Sequence, residues 1–95
     1  MIKVVAKNFA QEDKVKEIIE LCKELVEMTR KEKGCIKYEM YQDEQDATIL
    51  TMIEEWENRQ VLDDHLKSEH FTRIVPMMGK LMVKEVDMNV YNKLI

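Results

Sequence analysis

The segment Ala47 to Trp56 constrains this chain most, because it alternates like a strand and yet is apolar on both sides. Ala47, Ile49, Thr51 and Ile53 fall on one face of an extended backbone, and Leu50, Met52 and Trp56 on the other. A strand apolar on both sides needs packing on each face of its sheet. A chain of 95 residues has helices enough for only one of those faces. The other is expected to meet a partner subunit, so the sequence predicts a homodimer joined through sheet faces.

The remaining elements follow from periodicity. Residues 2–8 are mostly β-branched or small and predict a first strand. From Gln11 to Lys33 the apolar residues recur at three- and four-residue steps (Val15, Ile18, Ile19, Cys22, Leu25, Val26), which predicts an amphipathic helix stopped by Gly34 in the C′ position. Cys35 to Gln42 alternates, with Ile36, Tyr38 and Met40 on one face, and Asp43 to Asp46 forms a polar turn before the two-sided strand. Asn58 caps a short helix through Leu66, and Ser68 caps another that is expected to stop near Val75, because Pro76 disfavours continuation. Leu81 to Tyr91 alternates and predicts the last strand. The order β-α-β-β-α-β defines an α+β, ferredoxin-like fold with one four-stranded antiparallel sheet. With one proline, two glycines and no linker, residues 1–95 read as a single domain.

Composition excludes several classes of function. The net charge is −4 and no basic run occurs, so nucleic-acid binding, which needs a cationic footprint, is not expected. No apolar run is long enough to cross a bilayer, and the N-terminus lacks the layout of a signal peptide. Two cysteines form neither a disulfide framework nor a metal-spaced set, so a reduced cytoplasmic setting is the expectation. Gly34 and Gly79 alone make no phosphate loop or dinucleotide fingerprint.

The chemistry-bearing residues cluster late in the chain. Glu54, Glu55, Trp56, His65 and His70 fall within seventeen positions. His65 shares the apolar helix face of Val61, Leu62 and Leu66, where an imidazole serves as a general base or as a core residue bonded to a carbonyl. His70 lies beyond the Ser68 break. On one continuous helix the two rings diverge by about 140°, so a shared zinc or iron is not expected unless the break redirects them. Glu54 and Glu55 point to opposite faces, so at most one reaches a pocket on the helix side. Trp56 either stacks on a flat ligand or fills the core. Asn8 ends the first strand, where its amide binds a ligand oxygen or closes a turn, and Tyr38 and Tyr41 face opposite sides of the second strand.

Four stretches together carry a resemblance: Val4-Val5-Ala6-Lys7-Asn8, Glu32-Lys33-Gly34-Cys35-Ile36-Lys37-Tyr38-Glu39 leading to Asp43, Glu54-Glu55-Trp56-Glu57, and His65-Leu66-Lys67-Ser68-Glu69-His70-Phe71. In this order and spacing they resemble the antibiotic biosynthesis monooxygenase (ABM) domain family over nearly the whole chain. The resemblance implies a homodimeric α/β barrel of two face-to-face sheets, with a ligand cavity between each sheet and its own helices. It also implies oxidation of quinols or other hydroxyaromatics by O2 with no flavin, haem or metal. Relatives process a phosphorylated signalling-sugar derivative or degrade haem. The haem-degrading branch uses a histidine late in the second helical region, and residues 72–78 here contain none, although Asn8 stands where that branch places an amide.

On this resemblance His65 relays a phenolic proton, and Asn8 and Tyr38 hydrogen-bond the developing oxyanion. Trp56, Glu55, His70 and Phe71 contact the substrate. The predicted function is thus a cofactor-independent monooxygenase of a quinol-like substrate. The alternatives are an isomerase-like enzyme moving protons with His65 and Glu55, and a non-catalytic dimer that binds a small apolar metabolite.

Overall fold

Alternation and helical periodicity resolve into seven elements in a computed structural model that describes all residues, Met1–Ile95. They are β1 (Ile2–Phe9), α1 (Val15–Thr29), β2 (Cys35–Gln42), β3 (Ile49–Trp56), α2 (Arg59–Leu66), α3 (Glu69–Gly79) and β4 (Asp87–Asn92). The four strands form one antiparallel sheet in the order β2-β3-β1-β4. The α+β, ferredoxin-like architecture is therefore the one the sequence predicts.

Register decides which side chains meet the helices. Val4 pairs with Glu54 and Ala6 with Met52 across β1 and β3. Tyr38 pairs with Glu54 across β2 and β3, after an irregularity between Cys35 and Lys37. Because paired residues share a face, Val4, Ala6, Tyr38, Met52, Glu54 and Trp56 all point toward the helical layer. There they join Ile18, Cys22 and Leu25 of α1, Leu62 of α2, and Ile74 and Met78 of α3 in the core. Val5, Phe9, Ile49, Thr51 and Ile53 occupy the opposite face, which no helix of this chain covers, and they are half-buried among their neighbours.

Three boundaries differ from expectation. The helix predicted for residues 11–33 spans only Val15–Thr29. The chain leaves it through three-residue turns, with Lys31 N–H donating to Met28 O at 3.2 Å and Glu32 N–H to Thr29 O at 3.0 Å. Gly34, at φ 86°, therefore closes the turn into β2 rather than the helix itself. The third helix continues through Pro76 to Gly79. A helix proline removes the hydrogen bond to residue i−4, and both Thr72 and Pro76 are exposed, so the freed carbonyl lies at the wet surface.

The strand predicted for 81–91 is broken. Residues 81–83 bond to the end of β1, with Val83 N–H to Phe9 O at 2.8 Å and an isolated bridge from Ala10 to Met82. The regular strand begins only at Asp87. The side-chain pattern persists through 84–86 and so carried no mark of the gap.

The two short helices start as predicted. The Asn58 side chain accepts from Val61 N–H at 3.0 Å, and Ser68 Oγ accepts from Phe71 N–H at 3.3 Å. No helix is long and apolar enough to cross a membrane.

Candidate active site

A cavity of about 570 Å³ lies between the helix-side face of the sheet and the helices, and the segment Met82–Val86 frames it. Most of its wall is apolar, from Leu25, Met52, Leu62, Phe71, Val75 and Met78. Six polar side chains belong to that wall: Asn8, Tyr38, Glu54 and His65 on the sheet and α2, and Lys84 and Glu85 on the framing segment.

His65 is placed by α2, whose apolar stripe packs inward, and it is 1% exposed. Its Nδ1 lies 2.7 Å from Glu32 Oε2. A carboxylate oxygen only accepts, so Nδ1 carries the proton and Nε2 keeps its lone pair. Nε2 is buried and has no hydrogen-bond partner in the protein. Burial lowers the basicity of the ring, and the hydrogen bond and charge of Glu32 oppose that shift. The resting imidazole is thus neutral, with a fixed tautomer and an unused base.

Trp56 does not line the cavity. It is fully buried behind the site, with its ring 4.7 Å from that of His65 and inclined by 37°. The indole N–H donates to Glu54 Oε1 at 2.9 Å. Trp56 therefore holds His65 and Glu54 in place. Tyr38 and Phe71 flank the same imidazole edge-on, at 5.2 and 5.0 Å.

Glu54 is the carboxylate that faces the cavity. Burial, reinforced by the charge of Glu32, outweighs the Trp56 hydrogen bond and pushes its pKa up to about 7. Glu55, selected from the sequence as a substrate contact, lies on the opposite face and pairs with Lys37 at 3.6 Å. The alternation rule separated the two glutamates, and it also held the answer: Glu54 shares its parity with Met52 and Trp56. A carboxylate among buried apolar residues was the informative signal.

Asn8 lines the cavity, but its amide donors are already used. Nδ2 donates to Leu50 O at 3.1 Å and to Ala6 O at 3.3 Å. Only Oδ1 is left for a ligand, which makes Asn8 an acceptor for a hydroxyl and not a donor to an oxyanion. Tyr38 is the donor. Burial first, and the charge of Glu54 second, raise its pKa far above the ordinary value, so it stays a protonated phenol.

His70 is 9% exposed and stands behind His65, outside the cavity wall. Its Nε2 lies 2.6 Å from the same Glu32 oxygen that holds His65. The Ser68 break does redirect the two histidines, and they meet on one carboxylate. Glu32 was missed as a site residue because it sits in a turn 33 positions from His65, with no local pattern to single it out. The two thiols are poor nucleophiles, since burial pushes Cys22 and Cys35 each up to about 11.

Comparison with known proteins agrees with this fold. The family model for antibiotic biosynthesis monooxygenase matches residues 1–77. A conserved protein from Methanosarcina mazei Go1, known from a crystal structure, is 46% identical, with a TM-score of 0.97 over 98% of this chain and 92% of that one. The crystal structure of an antibiotic biosynthesis monooxygenase is 34% identical, with a TM-score of 0.95 and 99% of each chain covered. The uncharacterised protein sll1783 of Synechocystis is 35% identical over 89 residues, which are 93% of this chain but only 60% of that longer relative.

Proposed function

The chain belongs to the antibiotic biosynthesis monooxygenase family, and on that premise we propose that it oxidises a small hydroxylated aromatic, of the quinol type, with O2 and without a bound cofactor. The observation that carries this reading is the polarity of the cavity. On the sheet and α2 side, three acceptors (Asn8 Oδ1, His65 Nε2 and Glu54, pushed up to about 7 and so partly ionised at neutral pH) and one donor (Tyr38 O–H) stand on a mostly apolar wall. A flat ring bearing two or more hydroxyls satisfies that set.

His65 Nε2 takes the phenolic proton, and Glu32 stabilises the imidazolium through Nδ1–H. The resulting anion gives an electron to O2. The radical pair joins as a carbon–oxygen bond, forming a hydroperoxide at a ring carbon that still bears hydrogen. Loss of that hydrogen with cleavage of the O–O bond leaves a carbonyl and one water, so one oxygen atom enters the product and one leaves as water. Tyr38 O–H donates to the oxyanion, and such preorganised donors supply much of a rate enhancement.

Oxygen uptake by metal-stripped protein against a hydroquinone panel tests this. We expect His65→Ala to lower kcat by about 100-fold or more, the usual contribution of a positioned base, and Glu32→Gln to lower it less. Uptake no faster than autoxidation, or unchanged in His65→Ala, would sink the reading. One observation favours a second reading: Glu54 and His65 are two proton-transferring groups on one cavity, which also suits an isomerase. Product formation without O2 would select it, with Glu54 in the role expected of Glu55.

The functional unit is a homodimer joined through the outer sheet face. Val5, Ile49, Thr51 and Ile53 support this, because they form an apolar strip that no helix of the chain covers. Ile53→Asp is expected to yield a monomer by size-exclusion chromatography with light scattering. An unchanged dimer with an unchanged melting temperature would remove Ile53 from the interface.

A further inference from the structure

We propose that Glu32, His65 and His70 form a three-ligand site for a borderline divalent transition cation of the zinc, cobalt or nickel class. The cation is exchangeable and acts as a switch on His65. Glu32 Oε2, His65 Nδ1 and His70 Nε2 come from three separate segments, and their ligand atoms lie within 4.8 Å of one another. Two imidazoles and one carboxylate are the donor set that such cations favour, with a fourth position left for water. The site is shielded on the cavity side, where His65 is 1% exposed, and it opens toward solvent through Glu32 and His70, with side chains 16% and 11% exposed. A hydrated ion can therefore enter from outside without passing through the cavity.

Two protons now stand where the cation would. Both histidines donate to one carboxylate oxygen, at 2.7 and 2.6 Å. Zinc ligands of this type lie roughly 2.0–2.2 Å from the metal, so the carboxylate swings from between the rings and the better-exposed His70 closes the remaining gap. In this exchange each imidazole's hydrogen moves to the nitrogen facing away from the metal.

For His65 that nitrogen is Nε2, the buried atom without a partner. A metal-bound histidine generally donates its other N–H to an acceptor, and the protein supplies none there. The cavity ligand is the remaining partner. With protons in the triad, Nε2 is an acceptor suited to a hydroxyl. With a cation bound, it is a donor suited to a carbonyl. The effect on turnover rests on the monooxygenase reading above: a cation converts the base into a donor and stops proton abstraction. Binding itself rests on the geometry alone.

Cobalt(II) titration of the metal-stripped protein is the test, read by visible d–d absorption and by calorimetry. We expect one ion per chain in a four- or five-coordinate spectrum that zinc displaces. His70→Asn, checked for folding by circular dichroism, should weaken binding by about 100-fold or more, since even loss of an outer partner weakens metal sites by up to that factor. Nitrogen-15 spectra should show His65 Nε2 gaining a proton when zinc is added. No cobalt spectrum in wild type, or equal affinity in His70→Asn, overturns the site. Cobalt binding without any quinol oxidation would leave the site standing and remove only the monooxygenase reading.

Discussion

Gly34→Ala is expected to destabilise the protein by about 2–4 kcal/mol, combining the strain of a side chain at positive φ with overpacking. The residue sits at φ 86°. A Cβ built there falls 2.7 Å from Val61 Cγ1 and 2.8 Å from both Cγ2 and Cβ of the same residue. Urea denaturation gives the measurement. Adding Val61→Ala removes the two methyl overlaps but leaves Cβ, and the positive φ persists, so the double variant should recover only part of the loss. Full recovery would mean the backbone carries no strain. A Gly34→Ala protein as stable as wild type would mean the turn is not packed on α2 as described.

The consequence reaches the site. Gly34 O accepts Glu57 N–H at 2.9 Å, which draws the turn after α1 against the start of α2. Two residues earlier in that turn, Glu32 reaches His65 and His70. A glycine legible as a helix stop thus acts as the close contact that completes the histidine–carboxylate triad. The sequence marks Gly34 as special. It carries no mark of Val61 beside it, because that proximity exists only once the sheet and helices are assembled.

The same division runs through the rest of the chain. Period-two and period-3.6 patterns report what each element buries, so the sheet, the helices and the caps at Asn58 and Ser68 were readable. His65 was readable as an inward residue for the same reason, since it shares the helix face of Val61, Leu62 and Leu66, whereas Asn8, Tyr38 and Phe71 were singled out by the family resemblance and the structure places them on the cavity wall. Boundaries set by solvent were not readable: Pro76 survives inside α3 because its turn faces water, and the gap before β4 falls in a segment that still alternates. Partnerships between distant segments were also hidden. Asn8 reads from the resemblance as an oxyanion donor, but two main-chain carbonyls hold its amide hydrogens, and Glu32, though it opens one of the stretches that carry the resemblance, has no pattern that ties it to the histidines.

Glu54→Gln is expected to stabilise the protein at alkaline pH and, in acid, to leave it slightly less stable by the cost of burying the new amide hydrogens. The folded pKa of Glu54 is raised to about 7 from an ordinary value of 4.5. Below 4.5 the carboxyl is protonated in both folded and unfolded chains, and it adds no pH dependence. Between 4.5 and 7 the unfolded chain holds fewer protons than the folded one, so stability falls as pH rises. Above 7 both forms are ionised, and the full penalty of a buried charge persists at about 3 kcal/mol. Glutamine keeps an oxygen for the Trp56 indole N–H and removes the charge. Its new amide hydrogens lose part of the benefit, which leaves about 1–3 kcal/mol at pH 8. Melting curves for both proteins from pH 4 to 9 should diverge through this window and run parallel outside it. An identical slope in the variant would mean that Glu54 ionises as freely as a surface carboxylate. A chain that tolerates such a penalty beside an apolar cavity gains an acceptor there, and a ligand hydroxyl donating to Glu54 would relieve part of it. Substrate should therefore stabilise wild type more than Glu54→Gln above pH 7, and equally below 4.5.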